Sequence, residues 1–450
     1  MDVLASPPGS PTKARSRVDK GPYFWGTFLA LCGAVSLTAL DLTAVSTLLP
    51  TMAADLRGSD SIWIGSGFAL ASASIIPWIA SFAAIFGRKQ VLLGSLALFS
   101  IGSAITGFAS TTNIAILGRT LQGVGGGGIN TATDIILVDI IPLSERGFYL
   151  GILGSVFGIA SVLGPPMGGA FASADQWRWL FWLNIPLSIF AGIAVIFCLK
   201  LKGPPSTNLR EKVARMDFFN ILFVAASTSA LLGLAFGGSA YPWSSYKVIT
   251  PLCVGVAGLV AYAWCEKRFA AVPTVPFSVL GNWTTCVGLA TSFVNAFVLT
   301  CTIYYLPLYF QSSKGASPLM SGVDCFPLAF AIAPSAILAG WWIAKSGKYK
   351  LQNFFGWALT ILGFCLMTLL KSDSSTGEWV GCMLVLGFGM GTVCSAAGFP
   401  VIAPVQPDDQ AAVSAFHGFV QGENQDPSIL PSVDLTPLLF NIKRSLRPSQ

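Results

Sequence analysis

Residues 113–138 read NIAILGRTLQGVGGGGINTATDIILV. The run exceeds the ~20 residues an α-helix needs to cross the hydrocarbon core of a bilayer. It nevertheless carries Arg119, Gln122, Asn130, Thr133 and Asp134. With Arg119 as origin and a step of ~100° per residue, Gln122, Gly126, Asn130, Thr133 and Asp134 fall within about 60° of it. The polar groups therefore form one stripe along the helix. In lipid such a stripe must face other helices or a water-filled cavity. The residues alone leave both readings open: hydrogen-bond contacts between helices, or the wall of a transport pathway.

The rest of the chain has the same character. Of 450 residues, 53% are hydrophobic and 10% are charged, against ~25% charged in a soluble domain. A chain this apolar cannot cover a water-facing surface, so lipid must be its solvent. The spacing predicts twelve spans, near 23–49, 62–85, 91–109, 113–138, 148–171, 179–199, 218–237, 248–264, 285–310, 321–344, 354–370 and 379–403. Tryptophans including Trp25, Trp177, Trp264 and Trp283 fall near span ends, as an interfacial belt requires. The ten cysteines form no C-x-x-C pair and read as small buried hydrophobes.

The net charge of +6 does not indicate a nucleic-acid partner, because the basic residues are dispersed among short loops. With the N-terminus in the cytoplasm, only Arg57, Arg178, Lys247, Lys314 and Lys371 fall outside, and Arg119 lies within a span. The other Lys and Arg residues all fall inside. The positive-inside rule therefore places both termini in the cytoplasm.

Asp41 and Arg119 are ionisable groups within spans, and each needs a reason to be there. Asp41 lies about eight residues before the outer end of span 1, and Arg119 about six past the outer end of span 4. At 1.5 Å per residue both sit roughly 9–12 Å deep. Equal depth and opposite charge imply that they meet; a purely structural buried pair is the competing reading. Asp139 falls on the far side of span 4 and is expected to face headgroups. Asp217 is expected to cap span 7, Asp324 is a candidate second site, and His417, the only histidine, has no assigned role.

Enzyme chemistry is not indicated. One histidine excludes a multi-histidine metal site, and no G-x-S-x-G or Walker A pattern occurs. No metal or cofactor is called for. Gly123–Gly128 follows no strand and reads as a close-packing surface rather than a phosphate loop.

Several motifs now stand in order. They are Leu40-Asp41-Leu42-Thr43-Ala44-Val45 with Leu49-Pro50; Gly87-Arg88-Lys89; Arg119-Thr120-Leu121-Gln122-Gly123; and Gly151 with Gly164-Pro165 and Gly168-Gly169. They continue with Trp177-Arg178-Trp179, Asn184-Ile185-Pro186 and Met216-Asp217-Phe218-Phe219. Together they resemble the major facilitator superfamily, and within it the fourteen-span drug:proton antiporter family of fungal type. The resemblance covers residues 23 to about 420.

It implies an all-α polytopic membrane protein: a disordered cytoplasmic N-terminus (1–22), a six-helix N-terminal bundle (23–199), a cytoplasmic linker (200–217), two inserted spans (218–264), an incomplete, about four-helix C-terminal bundle (285–420), and a disordered cytoplasmic tail (421–450). Family members continue with two further spans, so a form truncated after about twelve spans is expected. Two smaller departures are Ala84, where the loop motif has aspartate, and Ala160, where the span 5 motif has glycine.

The resemblance links Arg119 to proton coupling. With Asp41, which depth and charge place beside it, and Gln122, it would couple transport to protons. The stripe residues Gly126, Asn130, Thr133 and Asp134, with Thr38, would line the cavity. Gly87, Arg88, Lys89, Gly164, Pro165, Gly168 and Gly169 would govern the conformational switch and antiport. The expected function is proton-coupled export of small organic compounds by a monomer in the plasma or vacuolar membrane. The alternatives are a uniporter or importer of a nutrient or metal chelate, and a non-transporting membrane protein.

The sole N-x-S/T sequon, Asn282-Trp283-Thr284, falls on the cytoplasmic side. The protein is expected to show no mobility shift on endoglycosidase treatment; a shift would invert the orientation.

Overall fold

The computed structural model describes residues 21–56, 62–201, 219–237, 241–269, 282–371, 374–405, 413, 416–418 and 420. The expected N-terminal segment 1–20, nearly all of the linker, Asp217 and the tail 421–450 lie outside the described residues.

The helices are α1 Pro22–Leu56, α2 Ile62–Phe86, α3 Arg88–Gly107, α4 Thr112–Ile140, α5 Leu143–Ser173, α6 Arg178–Cys198, α7 Phe219–Phe236, α8 Tyr246–Phe269, α9 Trp283–Ser313, α10 Pro318–Asp324, α11 Phe326–Ser346, α12 Tyr349–Met367, α13 Thr376–Ala396 and α14 Phe399–Ile402. Each of the twelve expected spans coincides with a helix. The tenth is divided at Cys325 into α10 and α11, where Ser317 caps the short first piece by accepting from the Met320 amide. Among the described residues, eight segments are long and apolar enough to cross a membrane. The α4 helix is not one of them, because its polar stripe and glycines lower its hydropathy.

Large apolar side chains cover the outer faces. Phe190 is 73% exposed and Phe354 78%, a surface that water would not tolerate over such an area. Trp177 departs from the expected interfacial belt. It is only 2% exposed, and its indole Nε1 donates to Asp55 Oδ2 at 3.0 Å. The Asp55 carboxylate also accepts from Arg178 Nη1 at 2.7 Å, fastening the end of α1 to the start of α6. The cysteines are free, but only Cys32 and Cys325 are buried, while Cys253 and Cys365 face outward. A thiol is apolar enough for a lipid-facing position.

Glycine sets the helix spacing. A Cβ on Gly123 would lie 2.3 Å from the Phe68 carbonyl oxygen of α2, and one on Gly125 would lie 2.4 Å from the Phe99 amide of α3. The glycine run therefore lets α4 wedge between α2 and α3 at backbone contact. The α5 helix continues unbroken through Pro165 and Pro166 and crosses α1 in the same way. A Cβ on Gly164 would meet Thr43 Oγ1 at 1.9 Å, and one on Gly168 the Ala44 carbonyl at 2.2 Å. On another face, α5 packs on α11, where Ser155 Oγ donates to the Ala333 carbonyl at 2.8 Å. The α5 helix thus joins α1 to the later helices. The α7–α8 pair rests on α2 through Ser74 and Thr228, whose hydroxyls are 2.7 Å apart.

Gly125→Ala should lower stability by about 1–3 kcal/mol, since only a backbone shift could relieve the clash. Gly94→Ala, with open space around its Cβ, should be neutral or stabilising. Thermal unfolding midpoints in detergent check both, and equal midpoints for the two variants would contradict the packing.

Candidate functional site

Asp41 and Arg119 meet. Asp41 is fully buried and Arg119 is 1% exposed. Arg119 Nη1 donates to Asp41 Oδ2 and to Gln122 Oε1 at 2.8 Å. Asp41 Oδ1 accepts from Gln122 Nε2 at 2.8 Å and from Asn184 Nδ2 at 2.7 Å. Both amides also reach Ser103 Oγ, at 2.7 and 3.3 Å. Arg119 Nε donates to the Ile64 carbonyl at 3.1 Å, and the Phe68 ring centroid lies 4.4 Å from the guanidinium carbon. Five helices (α1, α2, α3, α4 and α6) converge on this one cluster.

The cluster lies between two apolar layers. One contains Ala34, Leu37, Phe99 and Ile129; the other contains Ala44, Leu48, Ala115, Trp177 and Phe181. An ion pair this deep is tolerable only where hydrogen bonds satisfy both charges. Asn184, Ser103 and Gln122 supply them. The polar stripe marks Gln122, whereas Asn184 occurs only within a motif and Ser103 in none. Both lie about six residues from the outer ends of their spans, at the same ~9 Å depth as the pair. Matching depth would have found them.

A cavity of about 260 Å³ lies elsewhere, between α1, α4 and α5 on one side and α9, α11 and α13 on the other. Asn130 and Asp134 line it, together with Asn295 and His417. The His417 Nε2 lies 2.9 Å from Ser292 Oγ, so the lone histidine is built into the wall. Thr38, Gly126 and Thr133, expected on that wall, are instead packed in helix interfaces. Thr38 Oγ1 reaches Asn130 Oδ1 at 2.8 Å. Thr133 is fully buried, and Gly126 is covered by Phe68, whose Cζ would lie 2.8 Å from a Cβ there. A stripe 120° wide is broader than the cavity, so its edges go to packing. Phe68 touches Arg119 on one side and Gly126 on the other, and neither Asp41 nor Arg119 lines the cavity. Asp324 ends α10 and lines no part of it either.

Of the remaining motif residues, Gly87, Arg88 and Lys89 gather at the end of the fold that carries Gly21, and the Gly164–Gly169 motif lies towards the other end, against Thr43 and Thr47 of α1. Gly87 has φ +97°, a conformation side chains avoid, and turns α2 into α3. Arg88 Nε donates to Asp139 Oδ2 at 2.8 Å, so Asp139, exposed at the end of α4, pairs with a neighbouring helix there; Ala84 leaves that arginine without an acid on its own loop motif. Lys89 Nζ caps the end of α6 through the carbonyls of Ile196 (2.7 Å) and Leu199 (3.1 Å). In α5, the Pro165 carbonyl accepts from Thr47 Oγ1 at 3.2 Å and the Gly169 carbonyl from Ser173 Oγ at 2.8 Å.

The sequence pattern of the Major Facilitator Superfamily matches residues 31–422. The chain belongs to that superfamily. It is 40% identical over 422 residues to the MFS-type efflux pump LUC4 of Fusarium sp, covering 93% of this chain and 75% of the relative. It is 40% identical over 406 residues to the efflux pump FUS6 of Gibberella moniliformis, covering 89% and 72%. It is 38% identical over 408 residues to the MFS transporter L2 of a Phoma species, covering 89% and 68%. The protein is therefore a multi-pass membrane transporter of small molecules, and not an enzyme.

In this superfamily member, Arg119→Gln leaves a sealed carboxylate without its cation and should cost about 3–5 kcal/mol. Adding Asp41→Asn should recover much of that loss, giving a coupling of ~1 kcal/mol or more. Denaturant unfolding of the purified single and double variants measures it; additive losses would show that the two side chains do not interact.

Proposed function

We propose that the protein is a proton-coupled antiporter that exports small organic compounds. The observation that carries this reading is the buried Asp41–Arg119 pair, held by Gln122 and Asn184 at the meeting point of five helices. Protonation of Asp41 removes the attraction that holds Arg119 and loosens the contact between α1 and α4. Because α1 also packs backbone-to-backbone on α5, movement there reaches the Gly164–Gly169 crossing and, through Ser155, α11. A proton arriving from outside would favour the inward-opening state, and its release inside would restore the pair. Relatives named as efflux pumps support the direction.

In this reading the N-terminal end of α1, with the Arg88–Asp139 pair and the loop motif, faces the cytoplasm, and the Asp55–Arg178 pair faces outward. The protein acts as a monomer in the plasma or vacuolar membrane. The six helices to Cys198 move as one bundle, α7 and α8 accompany it, and α9–α14 form the opposing wall of the cavity.

In proteoliposomes, an imposed pH gradient should drive accumulation of a fluorescent organic compound such as rhodamine 6G. Asp41→Asn should abolish the response to the gradient while the protein still reconstitutes. Transport that responds to the gradient equally in wild type and Asp41→Asn would remove Asp41 from the mechanism. Transport indifferent to the gradient in wild type would favour the uniporter.

A further inference from the structure

The cavity ends where α5 meets α9 and α11. The last residues to line it on those three helices are Ser161, Val162, Ile303 and Leu328. The same four also line a second, much smaller space of about 20 Å³ behind them, whose far wall includes Pro165, Pro307, Gly322 and Cys325. The four shared residues therefore form a septum with space on both sides. At its other end the cavity reaches Arg146, near the start of α5, and Ala403, which is exposed.

Proline interrupts the helices at this level. Lacking an N–H, it leaves the carbonyl four residues earlier without its helical donor. Pro165 does this to Ser161, Pro166 to Val162 and Pro307 to Ile303, and the break at Cys325 is followed by Pro327. The helices are thus least stiff at the septum. On one side α5 is held fast, since Gly164 and Gly168 seat it on the α1 backbone. On the other, the chain folds back at Gly315, with φ +69°, and Gln311 Nε2 donates to Ser321 Oγ at 2.9 Å. The end of α9 and α10 form one hairpin, which is tied to α13 by Phe310 on Trp379, with ring centroids 4.9 Å apart. This hairpin rests on α5 with Gly322 against Pro166: a Cβ on Gly322 would lie 2.7 Å from Pro166 Cγ. Among the described residues, no hydrogen bond runs from α5 beyond Ser161 to α9, α10 or α11. Even the Ser161 hydroxyl, in a residue only 1% exposed, bonds to nothing there.

We propose that this septum, seated on the contact of Gly322 with Pro166, is the seal that closes the cavity toward the outside, and that the missing side chain at position 322 sets how firmly it closes. The inference rests on the cavity being the transport path. A contact made of apolar groups alone can part and re-form without stranding a buried donor or acceptor, which a seal that opens in every cycle needs. Because the hairpin moves with the later helices and α5 with α1, their separation breaks only this contact at that level. Gly322 acts as a positioning residue, and a methyl group there would wedge the seal apart.

The test reads two native cysteines of the full chain. Cys325 lies beyond the septum, and Cys394 lines the cavity before it. The membrane-impermeant thiol reagent 2-sulfonatoethyl methanethiosulfonate is applied to spheroplasts, from outside, and to inverted vesicles, from the cytoplasmic side. Mass spectrometry follows each cysteine. Wild-type Cys394 should react from the cytoplasmic side alone. Gly322→Ala should raise its reaction from outside roughly fivefold or more, the least that such an overlap shifts a two-state balance, and lower it from the cytoplasmic side. Adding Pro166→Ala makes room for the methyl group and should restore the wild-type pattern. Size-exclusion profiles matching wild type show that the variants are folded. Equal reaction of wild-type Cys394 from both sides, unchanged access in Gly322→Ala, or a gain confined to Cys325, which marks local loosening of α10, would each overturn the proposal. Should wild-type Cys394 react from outside alone, the proposed orientation fails, while a change of side in Gly322→Ala still supports the seal.

Discussion

Five of the six helices in the N-terminal half of this transporter converge on one buried ion pair. A carboxylate and a guanidinium in hydrocarbon are tolerable only if each finds several partners, and no single helix can provide them. The solution here draws Asp41 from α1, Arg119 and Gln122 from α4, Ser103 from α3, Asn184 from α6 and a carbonyl from α2. Bringing five helices to one point demands that α4 approach its neighbours at backbone distance. The glycines at 123 and 125 permit this. The polar centre and the small-residue surfaces are two parts of one constraint: the first fixes which helices meet, the second how closely.

Much of this was legible in the sequence. Each of the twelve apolar runs is helical, the tenth and twelfth as two helices apiece, because length and polarity in lipid are nearly decisive. The Asp41–Arg119 contact followed from depth and sign alone. Other features were not legible because they depend on neighbours in space. Trp177 lies at a span end but faces inward, since Asp55 of α1 provides a partner for its indole. Asp139 points away from the Arg119 stripe yet finds Arg88 on α3. Thr38, Gly126 and Thr133 lie on the polar stripe, and angular position does not reveal that Phe68 of α2 covers part of it. His417 became part of the cavity wall through contacts with α9, which no local pattern encodes.

The placement of Phe68 separates two compartments. On the side of the ion pair the charged and amide groups are hydrogen-bonded to one another and buried; on the other side the stripe opens onto the cavity at Asn130 and Asp134. The two sites share α4 and α1 but no atom-to-atom contact. On the proposed reading, proton and substrate therefore communicate through helix movement. The α4 helix cannot shift without breaking the clasp on Asp41 or carrying it along, and α1 cannot shift without disturbing its crossing with α5.

That separation explains why two aspartates in one membrane protein have different chemistry. A carboxylate with three donors is at rest in its ionised form, and a proton arriving there must displace an existing partner. It is suited to a two-state response. A carboxylate facing a mostly apolar cavity without a partner is disfavoured in its ionised form, and a proton or a counter-charge relieves it. Moving a donor such as Asn184 beside Asp134 would quench that demand, and removing it from beside Asp41 would create one. The surroundings, more than the residue type, decide which acid is held ionised and which is left to find a partner.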